Sequence, residues 1–466
     1  MSKTIHFVSL GCAKNRVDTE VMLGVSGLRG YTAVDQPEAA DVIVVNTCGF
    51  IGPAKEESID TVLELGAFKE AGSCETLVVA GCLSQRYSSD LAAAMPEVDH
   101  FLGSSDMLKL GAVLDGGAER MLVGNPADYT LRATDPRALT GPRHSAYLKI
   151  AEGCNRSCSF CAIPAIRGKQ RSRPIADLVE EATRLADAGV VELNLVSQDT
   201  VAYGRDLPER PTLAALVEAL AEVRGVRWVR MHYLYPETLT DPLLEVIAGH
   251  PRVLPYVDMP LQHASDAMLR RMRRGHGGKR LYDVVDRLQA RVPGLVFRTT
   301  FIVGHPGETD EDFEQLRAFV RWAEFDHVGV FLYSHEEGTH AGAMTDLVPA
   351  RTARARHRTL MRTQRPISRA KLRARIGTEV EVLVDGVSDE SEFLLEGRFW
   401  GQAPEVDGKV YLSNGRAEPG ELRRALVRDA ADYDLVADLL DADGRWEAPP
   451  GVERPRRRKV RLRTLG

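Results

Sequence analysis

Apolar residues in the first hundred positions come in short runs separated by stretches long enough for a helix. Residues 5–10 read as a strand and are followed by a helix near 17–28. A second run, 42–45, is followed by a helix that Pro53 opens and that continues to about Ala71. A third, 76–80, is followed by a helix from about Ser84. Short β-rich runs alternating with helix-length segments predict βαβ units on a parallel sheet. Residues 124–143 are rich in Pro, Gly, Arg and Asp, show no sustained period and read as a linker. A second alternation then begins at Tyr147. Its predicted strands are 147–151, 191–196, 226–231, 256–259, 296–303 and 327–332, with helices such as 175–188, 213–223, 239–248 and 310–323 between them. Six βα repeats predict a partial, TIM-like (β/α) barrel whose working face is the C-terminal ends of its strands.

A basic stretch, 351–375, precedes a change of character at Gly377. The short runs 378–384, 393–399, 409–412, 421–427 and 435–440, separated by turn residues, predict a small β-barrel. The expected plan is an α/β domain over 1–123, a linker over 124–143, the partial barrel with its basic connecting helix over 144–376, the small β-barrel over 377–441, and a basic, disordered tail over 442–466.

Composition narrows the function classes. With 44% hydrophobic and 27% charged residues in 466, the chain has the make-up of a globular protein. The longest apolar runs fall far short of the roughly 20 residues that cross a bilayer, and residues 1–10 lack the pattern of a signal peptide. A net charge of −6 gives no global attraction to nucleic acid. Seven cysteines are odd in number and few for this length. They argue against a disulfide framework and for a reducing, cytosolic setting in which clustered thiols mean metal or redox chemistry.

The cysteines fall into two sets. Cys154, Cys158 and Cys161 form C-x3-C-x2-C directly after the first barrel strand. Three thiolates on one loop suit three irons of a cubane cluster and leave the fourth iron open for a ligand. The competing reading, structural zinc, wants four closed ligands, usually with C-x2-C spacing, and His144 is the nearest histidine upstream. Cys12, Cys48 and Cys82 each follow one of the three N-terminal strands, so they fall at one edge of a parallel sheet, where such sheets bind ligands. Packing as small hydrophobes is the alternative for these three. Cys74 precedes its strand, falls at the opposite edge and is set aside.

The segment Gly153-Cys154-Asn155-Arg156-Ser157-Cys158-Ser159-Phe160-Cys161 resembles the signature of radical S-adenosylmethionine enzymes. That resemblance implies a 4Fe-4S cluster whose open iron chelates S-adenosylmethionine and whose reduction releases a 5′-deoxyadenosyl radical. With Ser9–Asn15, Val45–Ile51 and Ala80–Arg86 around the other cysteines, nearly the whole chain resembles the methylthiotransferase family. Membership implies a second 4Fe-4S cluster on Cys12, Cys48 and Cys82 that carries the sulfur, and a C-terminal β-barrel of the TRAM, OB-like kind. It also implies a sulfur source and an electron donor as partners. Less specific matches are Gly189 to Glu192 with Ser197-Gln198-Asp199-Thr200, a strand end expected to face S-adenosylmethionine through Gln198. Arg298 with Phe301–Glu308 resembles the family's later adenosyl-contacting strand. No role is assigned to His305, and the basic loop 167–173 reads equally as a cofactor contact or a solvated surface.

The family divides into enzymes acting on transfer-RNA adenosine and a branch acting on an aspartate of small-subunit ribosomal protein S twelve. Leu148–Cys154, Gln198–Thr200, Leu234-Tyr235-Pro236, Pro260–His263 and Phe399–Val410 resemble the protein-modifying branch; Trp400 and Gln402 depart from its pattern. Charge supports that branch. Residues 377–440 hold 15 acidic and 6 basic residues, a net of −9, where an RNA-gripping module would be basic and a basic ribosomal protein wants an acidic face. The basic stretch 351–375 and the Arg-rich tail pull toward ribosomal RNA. A transfer-RNA substrate, a non-catalytic iron–sulfur scaffold and a small-molecule radical enzyme are the alternatives. The second cysteine set and the C-terminal β-domain count against the last two.

Overall fold

The computed structural model describes residues 3–440; the expected tail, 442–466, lies outside them. The N-terminal sheet has six strands, β1 (Thr4–Ser9), β2 (Thr32–Ala33), β3 (Val42–Thr47), β4 (Thr76–Gly81), β5 (His100–Leu102) and β6 (Met121–Leu122). They run in the order β2-β1-β3-β4-β5-β6 with every pair parallel. Helices cover both faces, so the central strand β3 is buried at all six positions and reads as one unbroken apolar run. Strands β2, β5 and β6 have two or three residues each, too few to show a period, and were not legible. The first helix, Ala13–Gly27, starts four residues before the expected Val17 because its first turn is polar yet buried, with Lys14, Asn15, Asp18 and Glu20 all inside.

The second sheet holds β7 (Ser145–Lys149), β10 (Glu192–Val196), β11 (Trp228–Met231), β12 (Val253–Asp258), β13 (Val296–Val303) and β14 (His327–Leu332). All are parallel and curl in sequence order as an open partial barrel. The short β8 (Ala151–Glu152) continues β7 and pairs antiparallel with β9 (Arg171–Ser172). Helix Asp310–Ala323 begins at a capping box between Thr309 and Asp312. Strand β12 starts three residues before the expected 256, since Pro255 interrupts its apolar run without ending the strand.

A closed barrel of β15 (Glu379–Ser388), β16 (Ser391–Phe399), β17 (Val410–Ser413), β18 (Leu422–Ala430) and β19 (Leu435–Leu439) ends the described chain. The basic stretch before it is a helix, Ala350–Arg373, docked through Arg356 to Glu308 and Asp310 and through Lys371 to Asp326.

The three units stack. The small barrel closes the N-terminal ends of the large barrel's strands, sharing a core with Trp228, Leu254, Tyr256 and Val296. Two expectations are corrected here. Glu192 opens β10, so it lies at the end away from Ser197–Thr200; it is fully buried and pairs with Arg230 and with Arg398 of the small barrel. Arg298 lies in the first half of β13, and its guanidinium is bound to Asp407 of the small barrel (3.0 Å) and to Asp258 (3.5 Å) instead of facing a cofactor. Gln402 is fully buried, and the Trp400 carbonyl accepts from Arg230.

The N-terminal domain covers the opposite, C-terminal strand ends. It is pinned at one edge by Asp18 on Lys149 and Arg167, and at the other by Lys55 and Arg86 on Glu336. The segment 124–143 is an ordered strap whose Arg137 grips Glu20 of the N-terminal domain and Glu181 of the large barrel.

Burial alone would raise the Asp407 carboxyl, but His327 and Arg298 hold it below its ordinary range, and Tyr256 donates to it at 2.7 Å. Asp407→Ala should therefore leave Arg298 without its main partner and cost about 3–5 kcal/mol of stability. Asp407→Asn, which keeps acceptors for Tyr256, should cost less. Thermal unfolding of the two variants checks this.

Candidate functional site

Three adjacent parallel strands deliver the first cysteine set. Cys12 caps helix Ala13–Gly27 after β1, Cys48 leaves β3, and Cys82 opens helix Cys82–Ala94 after β4. The loops come together because a glycine flanks each. Gly11 has φ +97°, and a Cβ there would stand 2.9 Å from the Cys48 Cβ. Burial pushes the Cys48 thiol up to about 11, and Cys82 and Cys12 push the same way. Burial likewise raises Cys82, with Arg167 opposing. Cys74 precedes β4, is buried apart from this group, and its thiol donates to the Thr76 carbonyl at 3.5 Å. All seven thiols are free.

The second set lies on the loop between β8 and helix Ile163–Arg167, at the mouth of the large barrel. Its backbone is fixed from several sides. The Cys154 amide donates to the Gly168 carbonyl (3.0 Å) and the Ser159 amide to the Met272 carbonyl (3.0 Å). A Cβ on Gly153, at φ +78°, would meet the Lys169 carbonyl at 2.2 Å. The Ser159 hydroxyl pairs with His305 Nε2 at 3.2 Å. Burial lowers His305 to about 4, so it buttresses the loop as a neutral ring. Arg274 donates to Cys158 Sγ at 3.3 Å. Burial pushes Cys154 up to about 11 and Cys161 up to about 12, and neighbouring thiols of the set add to both shifts.

These shifts bear on what the cysteines can hold. Cys48 and Cys82 in one set and Cys154 and Cys161 in the other, raised by burial, stay protonated unless a cationic core draws the protons off, as iron or zinc does. Among the described residues, no three His, Cys, Asp or Glu converge on a single metal ion, and no fourth ligand completes a closed zinc site. Two three-thiol sets, each with an open side, fit two iron–sulfur clusters.

Polar atoms around the barrel mouth also await a partner. Gln198 Oε1, Asp199 Oδ1, both amide atoms of Gln170, Arg156 Nη2, Arg274 Nε and both ring nitrogens of His276 are buried without a hydrogen-bond partner. Such groups are costly in a dry interior, and they suit a ligand with amino, carboxylate and hydroxyl groups. Gln198 is held by donating to Glu152 Oε1 at 2.7 Å, which leaves its carbonyl oxygen for that ligand. Arg156 lies in the signature segment and Gln170 in the basic loop 167–173, whereas Arg274 and His276 sit in a charged run that looks like solvated surface, so the sequence pattern did not single those two out.

One buried group joins the two sets. Arg167 reaches from the large barrel to Cys82 Sγ (3.3 Å) and Asn15 Oδ1 (2.6 Å), and pairs with Asp18 and Glu152 (both 3.0 Å). Lys149 completes a neutral quartet by pairing with Asp18 and with Glu152 (2.8 Å). Burial alone would raise Glu152, but Arg167 and Lys149 hold its carboxyl far below the usual range. Cys82 also packs against Ala162, the neighbour of Cys161, and against Ile166 in the helix that follows.

Cys158→Ala should abolish 5′-deoxyadenosine formation while the N-terminal cluster persists. Cys48→Ala should roughly halve the iron yet spare cofactor cleavage, and Cys74→Ala should change neither. Iron analysis and product chromatography on the three variants check this. Arg167→Met strips two buried carboxylates of a partner. It should destabilise the domain contact by about 3–5 kcal/mol, read as earlier proteolysis between the N-terminal domain and the barrel.

Family models match three segments: a radical SAM superfamily model over residues 148–320, an uncharacterized protein family over 4–103, and a TRAM domain over 376–440. The chain is 63% identical to the ribosomal protein uS12 methylthiotransferase RimO of Sorangium cellulosum, covering 100% of this chain and 98% of that one. It is 51% identical to the protein of the same name from Myxococcus xanthus, over 94% and 92% of the two chains. In solved structures the fold resembles the radical S-adenosylmethionine methyltransferase TsrM of Kitasatospora setae, with a TM-score of 0.55 at 14% identity over 73% and 77% of the chains. These matches span the N-terminal sheet, the partial barrel and the small barrel alike, and the chain belongs to the RimO family of ribosomal protein uS12 methylthiotransferases.

Proposed function

We propose that the protein attaches a methylthio group to the β carbon of an aspartate of ribosomal protein uS12. The observation that carries this reading is the junction of the two cysteine sets, in which Cys82 of one packs on Ala162, next to Cys161 of the other, and on Ile166 of the helix that follows. A radical enzyme working alone needs only the barrel set. Two open sets under one roof suit a reaction that breaks a C–H bond and delivers sulfur to the same carbon. When bound, two 4Fe-4S clusters and S-adenosylmethionine supply the radical, the sulfur and the methyl group. In this reading Cys12, Cys48 and Cys82 hold one cluster and Cys154, Cys158 and Cys161 the other.

The chain's own residues have distinct tasks. Gln198, Gln170 and Asp199 offer unpaired polar atoms to the cofactor. Arg298, bound to Asp407, holds the small barrel in place. The N-terminal domain roofs the strand ends, with Cys12 left exposed.

The acidic small barrel supports a basic protein partner over RNA, although some of its acids are spent internally, as in Glu379–Arg424, Glu396–Lys409 and Asp438–Arg428, and others on the rest of the chain, as in Asp407–Arg298. Asp389 and Glu392 at the β15–β16 turn have no ion pair among the described residues. They stand beside Phe393, which is 86% exposed, and that turn is the proposed contact for uS12. An electron donor and a sulfur source are needed in the cytoplasm where uS12 is made. Among the described residues no helix is long and apolar enough to cross a membrane.

Deleting the gene should remove the mass of one methylthio group from uS12 and leave transfer-RNA methylthioadenosine unchanged, as read by mass spectrometry of both. The opposite pattern would assign the chain to nucleoside modification. Reversing Asp389, Glu390 and Glu392 to Lys should weaken association with uS12, most strongly at low salt where exposed charges are least screened.

A further inference from the structure

We infer that Lys14 binds the side-chain carboxylate of the target residue, an inference that rests on the protein-aspartate reading above. Lys14 lies two residues after Cys12, in the first turn of helix Ala13–Gly27, and is only 8% exposed. Its ammonium sits 3.4 Å from the centre of the Tyr233 ring. Among the described residues no hydrogen bond or ion pair reaches that ammonium. The cation-π contact occupies none of its three N–H donors, which stay open to an incoming acceptor.

Tyr233 stands two residues beyond β11, at the same end of the barrel as the radical set. Its φ is +59°, a strained conformation for a bulky residue. That conformation is held by its amide donating to Asp258 Oδ2 (3.2 Å) and its carbonyl accepting from the Thr200 amide (3.2 Å). Thr200 follows Gln198 and Asp199, whose unpaired atoms face the cofactor in the proposed reading. The Lys14 ammonium thus lies between the auxiliary cysteines and the cofactor side of the barrel.

Most other cations near Lys14 are already ion-paired. Arg156 pairs with Asp199 and Glu237, Arg167 and Lys149 with Asp18 and Glu152, and Arg16 with Glu405. Arg274 donates to Cys158 Sγ and the Pro260 carbonyl, and its remaining Nε belongs to the cofactor side in the proposed reading. An incoming aspartate brings a carboxylate that must leave water, and a charge-assisted bond to an ammonium with free donors compensates it. The reacting β carbon is bonded directly to the carboxyl carbon, so anchoring the carboxylate fixes that carbon to within one bond.

The test uses the reconstituted holoenzyme, purified uS12 and a uS12 variant whose target aspartate is asparagine. The wild-type enzyme should bind the aspartate form at least about tenfold more tightly. Lys14→Met should weaken binding of that form by about ten- to a hundredfold and leave the asparagine form within about twofold, so the preference disappears. Lys14→Arg should restore part of it. Iron content is measured on every variant, and if Lys14→Met loses iron, Lys14→Gln carries the same comparison. A Lys14→Met or Lys14→Gln enzyme with full iron content and the wild-type preference would overturn the assignment. A wild-type enzyme that bound neither uS12 form and modified transfer RNA would overturn the underlying substrate reading instead, which is a separate result.

Discussion

Two carboxylates and two cations buried between the first helix and the first barrel strands hold the two halves of the site together. Asp18 comes from the N-terminal domain; Lys149, Glu152 and Arg167 come from the barrel. A buried ion pair gains little net stability over apolar packing, because desolvation offsets most of the attraction. What such a quartet supplies is geometry: it is neutral only when the two domains sit in one register. Arg167 extends that register to the chemistry, since the same guanidinium donates to Cys82 while the next residue's carbonyl holds the Cys154 amide.

The rest of the stack follows from this docking. A partial barrel is open at both ends, and its strand ends carry polar groups that need cover. On the N-terminal side the small barrel supplies it with a shared apolar core and the Glu192, Arg398 and Asp385 network. On the C-terminal side the N-terminal domain supplies it with two ionic edges, Asp18 at one and Glu336 at the other. Between those edges lie the unpaired polar atoms that the cofactor reading uses. The polar first turn of helix Ala13–Gly27 is therefore part of the site: Lys14, Asn15 and Asp18 each face a different component of it.

Much of this was legible from pattern. Strands β13 and β14 and helix Asp310–Ala323 fall where their periodicity put them, because each has a strong apolar rhythm and, for the helix, a cap. The position of Cys12, Cys48 and Cys82 at one sheet edge followed from the rule that parallel strands share their C-terminal side, and Cys74 stands apart from that group as the same rule required. Arg298 and Glu192 were misplaced for the opposite reason. Both lie near the N-terminal ends of their strands, where the small barrel docks, and no local pattern announces a partner more than a hundred residues away. Arg167 and Lys14 share that difficulty. Each sits in a charged or polar stretch that looks like solvated surface until a second domain covers it.

The central claim is that one rigid junction brings the two cysteine sets, and the clusters proposed on them, side by side. Pulsed electron paramagnetic resonance on the reduced, fully reconstituted wild-type protein addresses it directly. Two half-integer spins held across the Cys82–Ile166 contact should show mutual dipolar broadening and enhanced relaxation, both absent from proteins that carry either cysteine set alone. Spectra of the intact protein that equalled the simple sum of those two single-cluster spectra would show the sites to be magnetically isolated and would contradict the account.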